Sequence, residues 1–337
     1  VTVRFRAGAV TEGVIGLASA ARGAPPAWCG EGLLPLEVTA ALDAVGDPTG
    51  EVWFHLLGLV IESEDRVAPR QFVRKVAALD PVELLRHVLG VHVPAWRECV
   101  ATEDLEAAAR GDADAALGLL GSEHYYGGHA SEALATLLGV GPEEARHRLV
   151  AALERWFDDV VAPRLDRLEE LHASVDHEPL DDEDPLDTVA RVTGFRFEPE
   201  DYTEEVILVP QFAGRQGTVL AQHGGARIIA YDASDQLRDE LAVLAEVFAA
   251  LGEVSRLELL QHLADEPGGV SDLARAIGLA KSTTHQHLAV LKDAGVIALA
   301  GQAWRYRYEV RPERIRSAAA QLLQLLSGAE GSPTDGT

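Results

Sequence analysis

Residues 271–295, SDLARAIGLAKSTTHQHLAVLKDAG, read as two short helices joined by a tight turn. Ser271 is a good N-cap residue, and Asp272 suits the positive end of the helix dipole. Leu273, Ala274 and Ile277 form an apolar face at helical spacing. Gly278 stands where a helix C-terminus calls for positive φ, and Leu279 follows as the apolar residue that packs back across the turn. A second helix is expected from Lys281 to Asp293, with Thr284, Leu288 and Leu291 facing inward. Its opposite face carries Ser282, His285, Gln286, Ala289 and Lys292, small or hydrogen-bonding residues that suit insertion into a major groove.

The flanks extend this reading. Val296–Ala300 is apolar and strand-like, Gly301-Gln302 is a turn signal, and Trp304–Val310 alternates. Trp304, Tyr306 and Tyr308 fall on one face, and Arg305, Arg307 and Glu309 on the other. A hairpin directly behind the second helix is a wing. Upstream, Phe248-x-x-Leu251-Gly252-x-x-x-Arg256-x-x-x-Leu260 leads into the first helices.

The whole run, roughly Leu241–Leu325, resembles the winged helix-turn-helix of ArsR-type transcriptional regulators. The likeness is carried by the ALG…R…LL lead-in, by Ser282, Thr283, His287 and Leu288 in the second helix, and by the AG-(V/I) exit. It implies a dimeric, sequence-specific binder of double-stranded DNA. A dimer seam is expected from Leu237, Leu241, Leu244 and Val247 on one flanking helix and Ile315, Leu322, Leu323 and Leu326 on the other. Two features depart from the family pattern. Ala280 stands where a capping Ser or Thr is usual, and the wing tip, Ala300-Gly301-Gln302-Ala303, lacks basic residues.

The chain has 337 residues and a net charge of −25, which at first argues against a nucleic-acid partner. The distribution answers this. Val270–Arg316 holds eight basic residues against four acidic ones, so the surplus of negative charge lies elsewhere. The DNA-facing segment is mildly basic and the remainder is repelled by a duplex, which predicts modest affinity and a shallow salt slope. Two cysteines, Cys29 and Cys99, make no disulfide framework. Ala9–Ala20, behind Arg4 and Arg6, imitates a signal sequence, but Glu12 interrupts it. No apolar run reaches the roughly 20 residues a bilayer demands, so a cytoplasmic, unanchored protein is expected.

Read in order, Thr2–Arg6 is strand-like, helices are expected at Glu12–Arg22, Pro69–Leu79 and Pro81–Leu89, and Glu51–Glu62 reads as a helix with a buried strand as its alternative. More follow at Thr102–Arg110, Asp112–Leu120, Ser131–Leu138 and Pro142–His172, the last kinked at Pro163. Asp181–Asp184 reads as a solvated acidic loop, and Asp187–Thr193 as a short helix. From Gly194 to Tyr231 short β-branched runs divided by glycine read as a small antiparallel sheet. The expected fold is therefore mainly α with a small β component. A helical front domain, 1–232, carries the sheet at about 194–231. A winged helix-turn-helix domain follows at 233–326, and 327–337 form a disordered tail. This layout resembles that of large actinobacterial-type regulators.

Chemistry-bearing residues are sparse. The helix SDLARAIG holds no cysteine and the final helix no His, Asp or Cys, so the metal sites some ArsR-type proteins use are missing, and neither metal nor cofactor is expected. His124-Tyr-Tyr-Gly-Gly-His129 is the most suggestive cluster in the front domain, with a plain turn as its alternative. His172, Asp176 and His177 read as a helix-end group, and His287 as structural. No nucleophile elbow, P-loop or dinucleotide fingerprint is present, so no enzyme is indicated.

Lys281, Ser282 and Thr283 are expected at phosphates, His285, Gln286 and Ala289 at base edges, and Lys292, Arg305 and Arg307 around them. The front domain, rich in Leu, Val and Ala with Trp28, Trp53, Trp96, Trp156, Tyr125 and Tyr126, suits an apolar or cationic small-molecule effector unless these aromatics are simply core. The competing reading is a protein-interaction module or enzyme in which the winged helix serves dimerisation or binding.

Overall fold

Helix α1 (Ala9–Ala21) is buried along nearly its whole length and packs against several elements at once. Small residues make this possible. A Cβ on Gly13 would lie 2.8 Å from the Phe157 ring, and one on Gly16 would lie 2.7 Å from Trp28. The helix is enclosed on all sides. Glu12, at its centre, accepts hydrogen bonds from Trp28 Nε1 at 2.7 Å and from the Phe212 amide at 3.0 Å. Burial pushes its carboxyl up to about 8, against the partial relief of those bonds.

The computed structural model describes residues 1–30, 32–63, 67–175, 184–213, 219–234, 240–302 and 305–328. The chain divides into two units, residues 1–185 with 199–234, and residues 186–198 with 235–337. In the first, α1 is followed by α2 (Leu36–Val45), α3 (Glu51–Phe54), α4 (Leu56–Ile61), α5 (Pro69–Ala77) and α6 (Pro81–Val88). Then come α7 (Thr102–Ala109), α8 (Ala113–Leu120), α9 (Ala130–Val140), α10 (Pro142–Trp156) and α11 (Leu165–Ala173). The expected long helix 142–172 is thus interrupted, by a widened turn at Phe157–Val161 and a tight one at Ala162–Arg164 around Pro163.

Beside the helices lies a four-stranded sheet in the order β1 (Thr2–Phe5), β3 (Glu205–Gln211), β5 (Ala226–Asp232), β4 (Val219–His223). β1, β3 and β5 run parallel, and only the β4–β5 hairpin is antiparallel, turning at Gly224 with φ 57°. The expectation of an antiparallel sheet fails for a physical reason. Val206–Val209 and Ile228–Ala230 are continuous apolar runs buried on both faces, which is the pattern of parallel strands.

The second unit starts earlier than the expected boundary at 232/233. α12 (Pro185–Thr193) leads into β2 (Arg196–Phe197), which pairs parallel with β6 (Ile297–Gln302), and β6 pairs antiparallel with β7 (Arg305–Val310). Residues 194–198 therefore serve the wing sheet and not the front sheet. Four helices, α13 (Glu240–Leu251), α14 (Val254–Asp265), α15 (Val270–Ile277) and α16 (Lys281–Asp293), precede the hairpin, and α17 (Pro312–Gly328) follows it. The buried core of this unit joins Leu259, Leu273, Leu288, Leu291, Val296 and Ile297. The predicted tail, 327–337, lies almost wholly outside the described residues. Among the described residues no helix is long and apolar enough to cross a membrane.

Candidate nucleic-acid interface

The turn between α15 and α16 forms as its sequence dictates. Gly278 adopts φ 70°, and the amides of Gly278 and Leu279 both reach the Ala274 carbonyl, closing the end of α15. α15 begins one residue before the expected cap: Gly269 flanks it, Ser271 lies within the first turn, and Asp272 pairs with Arg275 at 3.0 Å. α16 then runs over the predicted span. Thr284, Leu288 and Leu291 are fully enclosed, and the Thr284 hydroxyl donates to the Ala280 carbonyl at 3.1 Å. Inward burial of these three fixes which face α16 turns outward.

That outer face presents Lys281, Ser282, His285 and Gln286 as exposed side chains, with Thr283 and Ala289 half-buried. Val290 joins them at 42% exposure, an aliphatic side chain on a face expected to lack one. Lys292 is half-buried, and burial lowers its pKa from the usual lysine value. At the start of the helix Ala280 offers no side-chain cap. The first amides of α16 are consequently left to solvent or to an anion, and the adjacent Lys281 has no ion pair among the described residues.

His287 is held from the other side. Its Nδ1 lies 3.5 Å from Glu253 Oε2, and Glu253 caps α14 by accepting from the amides of Ser255 and Arg256. These amide bonds, that of Ser255 first, hold the Glu253 carboxyl below its ordinary value. Arg256 in turn donates to the carbonyls of Ala250 and Ala249 at the end of α13. The ALG…R lead-in and the histidine of α16 are thus one clamp between three helices.

The wing differs from its expected form. Gly301 and Gln302 belong to β6, in register with Tyr306 and Arg305, so they are not the turn. Residues 303 and 304, and the side chain of Arg305, lie outside the described residues. Arg307 is exposed, but its guanidinium lies 2.5 Å from Glu198 Oε1 and 3.7 Å from Glu309 Oε1. Glu198 was missed in the sequence because it lies 109 positions away, in a segment assigned to the front domain.

The front-domain candidates separate. His124 and His129 are exposed, His129 lying 3.5 Å from Glu132, while Tyr125 and Tyr126 are buried and donate to the carbonyls of Leu89 and Val88. His172 lies in the last turn of α11, buried 3.7 Å from Glu12 Oε2; Asp176, His177 and most of the acidic run 181–184 lie outside the described residues. Trp28, Trp53 and Trp156 are core side chains. Cys29 and Cys99 are free, half-buried thiols with pKa values raised by burial, Cys29 to about 11.

Comparison with known proteins falls on this same segment. Residues 253–298 match the family described as bacterial regulatory protein, arsR family. The chain is 33% identical over 88 residues to the HTH-type transcriptional regulator YgaV of Escherichia coli K12, covering 26% of this chain and 89% of that protein. It is 30% identical over 78 residues to the HTH-type transcriptional regulator KmtR of Mycobacterium tuberculosis H37Rv, 23% of this chain and 60% of that protein. Among solved structures, an ArsR-like transcriptional regulator from Rhodococcus sp. RHA1 shares 26% identity over 27% of this chain and 85% of its own, with a TM-score of 0.26. The homodimeric winged helix-turn-helix domain of Mb0332 from Mycobacterium bovis shares 25% identity over 32% of this chain and 94% of its own, with a TM-score of 0.22. The chain belongs to the ArsR family of bacterial transcriptional regulators.

Proposed function

We propose that the protein is a homodimeric, sequence-specific DNA-binding regulator whose front unit senses a ligand and biases DNA binding. The observation that carries the DNA reading is the outward face of α16, exposed from its uncapped start at Lys281 through Gln286. Phosphates would meet the free amides and Lys281, Ser282 and Thr283. His285 and Gln286 would meet base edges, with Ala289 and Val290 against thymine methyls. Lys292 and Arg305 are kept as flanking candidates, and Arg307 contributes once Glu198 yields it.

Dimerisation rests on a separate feature. Leu241, Ala245 and Phe248 lie on one exposed, uncharged face of α13, Phe248 at 38% exposure, and α13 packs against α17, where Leu322, Leu323 and Leu325 are exposed. A symmetric partner is the simplest cover for a self-complementary apolar face. The sensing role rests on size and charge: the unit outside 186–198 and 235–337 has its own core and sheet, and the chain's acidic surplus favours a cationic effector over an anionic one.

The test is fluorescence anisotropy with a duplex selected from a random pool, in excess unrelated competitor. A complex that survives competitor supports sequence-specific binding, and one that dissolves in it refutes that reading. Sedimentation velocity of the wild type and of Phe248→Glu with Leu322→Glu addresses the dimer. The wild type should sediment as a dimer and the double variant as a monomer; a monomeric wild type sinks the dimer reading.

A further inference from the structure

The first unit gathers three imidazoles and two carboxylates in one place, from three separate stretches of the sequence. α6 puts Glu83 and His87 at i and i+4, on one face. The chain then turns through Gly90 at φ 70° and returns His92, whose ring centroid lies 4.7 Å from that of His87. Glu83 Oε1 is 3.6 Å from His87 Nε2 and 3.9 Å from His92 Nε2, and one donor atom from each of the three lies within 4.8 Å of the others. The pattern E-x-x-x-H-x-x-x-x-H was visible in the sequence and passed over there.

The surroundings are built around this group. Arg86 donates to Glu83 Oε2 and also pairs with Glu106, each at 2.9 Å, which fixes the carboxylate and leaves Oε1 toward the histidines. His223, at the end of β4, stacks on His87 with centroids 5.7 Å apart, and its Nε2 lies 2.7 Å from Glu62 Oε1. The Gly224 amide donates to the His92 carbonyl at 2.7 Å, tying the two loops together. Gly58 leaves the room His223 occupies, since a Cβ there would stand 2.3 Å from its Nδ1. His87 is 7% exposed, and both its Nδ1 and the His92 Nε2 are buried without a hydrogen-bond partner among the described residues. Buried nitrogens are seldom left so, and an unfilled coordination site accounts for the His92 Nε2, the atom that faces Glu83.

We propose that Glu83, His87 and His92 form a binding site for a divalent transition-metal ion of the zinc, nickel or cobalt class. His223 and Glu62 then form its outer shell. Two imidazoles and one carboxylate suit borderline ions; hard calcium or magnesium would want all-oxygen ligands, and copper(I) would want sulfur. A tetrahedral ion with bonds near 2.1 Å spaces its ligands by about 3.4 Å, so the Glu83-to-histidine distances of 3.6 and 3.9 Å need to close by no more than about half an ångström. A cleft of about 280 Å³ lies beside the outer pair, lined by Arg4, Glu62, Glu204, Glu205 and His223. The three ligands leave one position open to water or an exchangeable ligand. Only the regulatory consequence, that this ion is the effector, rests on the sensing role proposed above.

The experiment uses the full chain, stripped of metal by chelation, without DNA. It is titrated with Co²⁺ followed by visible ligand-field absorption, then with Zn²⁺ as displacer. One equivalent of Co²⁺ should bind and be displaced. Glu83→Gln and His92→Ala should each weaken binding by roughly tenfold or more, while His124→Ala, at an exposed histidine elsewhere, should change nothing. Far-ultraviolet circular dichroism and the metal-free unfolding midpoint show that the variants fold. Failure of the wild type to bind, or unchanged affinity in both folded ligand variants, overturns the site. Normal titration with DNA affinity identical in the metal-free and Zn²⁺-loaded protein upholds the site and overturns the sensing role.

Discussion

Replacing Glu12 by glutamine should remove a pH dependence from the stability of the first unit. The side chain is fully enclosed in α1, facing the Trp28 indole, the Phe212 amide, His172 and, at longer range, Asp232. Burial lifts its pKa to about 8 from a reference of 4.5. Between those values the folded carboxyl keeps a proton that the unfolded one releases, so stability falls as pH rises through the window and levels off above the folded pKa. At about 1.4 kcal/mol per unit, some 2.5 kcal/mol is lost between pH 5 and pH 7, and about 5 kcal/mol in all by pH 9. Glutamine keeps an oxygen acceptor for Trp28 and Phe212 but carries no charge. Urea unfolding followed by tryptophan fluorescence, at pH 5 and pH 7, isolates the effect as the variant-minus-wild-type difference, which should grow by about 2.5 kcal/mol in favour of Glu12→Gln. A difference constant with pH, or one that moves the other way, would mean that Glu12 is ionised against a protonated His172, and the reasoning would be wrong.

Three further outcomes concern DNA. Gln286→Ala should cost about 1–3 kcal/mol on the selected site and relax specificity at one position, measured by anisotropy on single-base variants; equal weakening on random DNA would assign it to the backbone. Lys281→Ala should weaken selected and random duplexes alike and reduce the salt slope by about one unit, and an unchanged slope would remove it from the phosphate contacts. Glu198→Gln, by releasing Arg307, should tighten binding to any duplex by up to about fivefold, since an exposed ion pair is worth at most about 1 kcal/mol, and should steepen the salt slope. A binding curve indistinguishable from wild type would show that Arg307 faces no phosphate.

What was legible in the sequence was what local periodicity and turn chemistry encode. α16 was read to its ends because Thr284, Leu288 and Leu291 leave no second choice of buried face, and Gly278 marks its turn. The helices opening on Pro69, Pro81 and Pro142 were equally plain, since proline suits the first turn. Long-range pairing was not legible. β1 finds β3 across some 200 residues, and nothing in Thr2–Phe5 names its partner. The two-residue strand β2 is too short to carry a period, so its place in the wing sheet, and with it the Glu198–Arg307 pair, escaped notice. The histidine group was legible only in part: E-x-x-x-H-x-x-x-x-H is local, whereas His223 and Glu62 come to it only through the fold.

The placement of β2 also bears on how the protein can be cut. Because β6 is the middle strand of the wing sheet, a fragment beginning at residue 235 strips one of its neighbours and bares a row of backbone donors and acceptors, an invitation to pair with another chain.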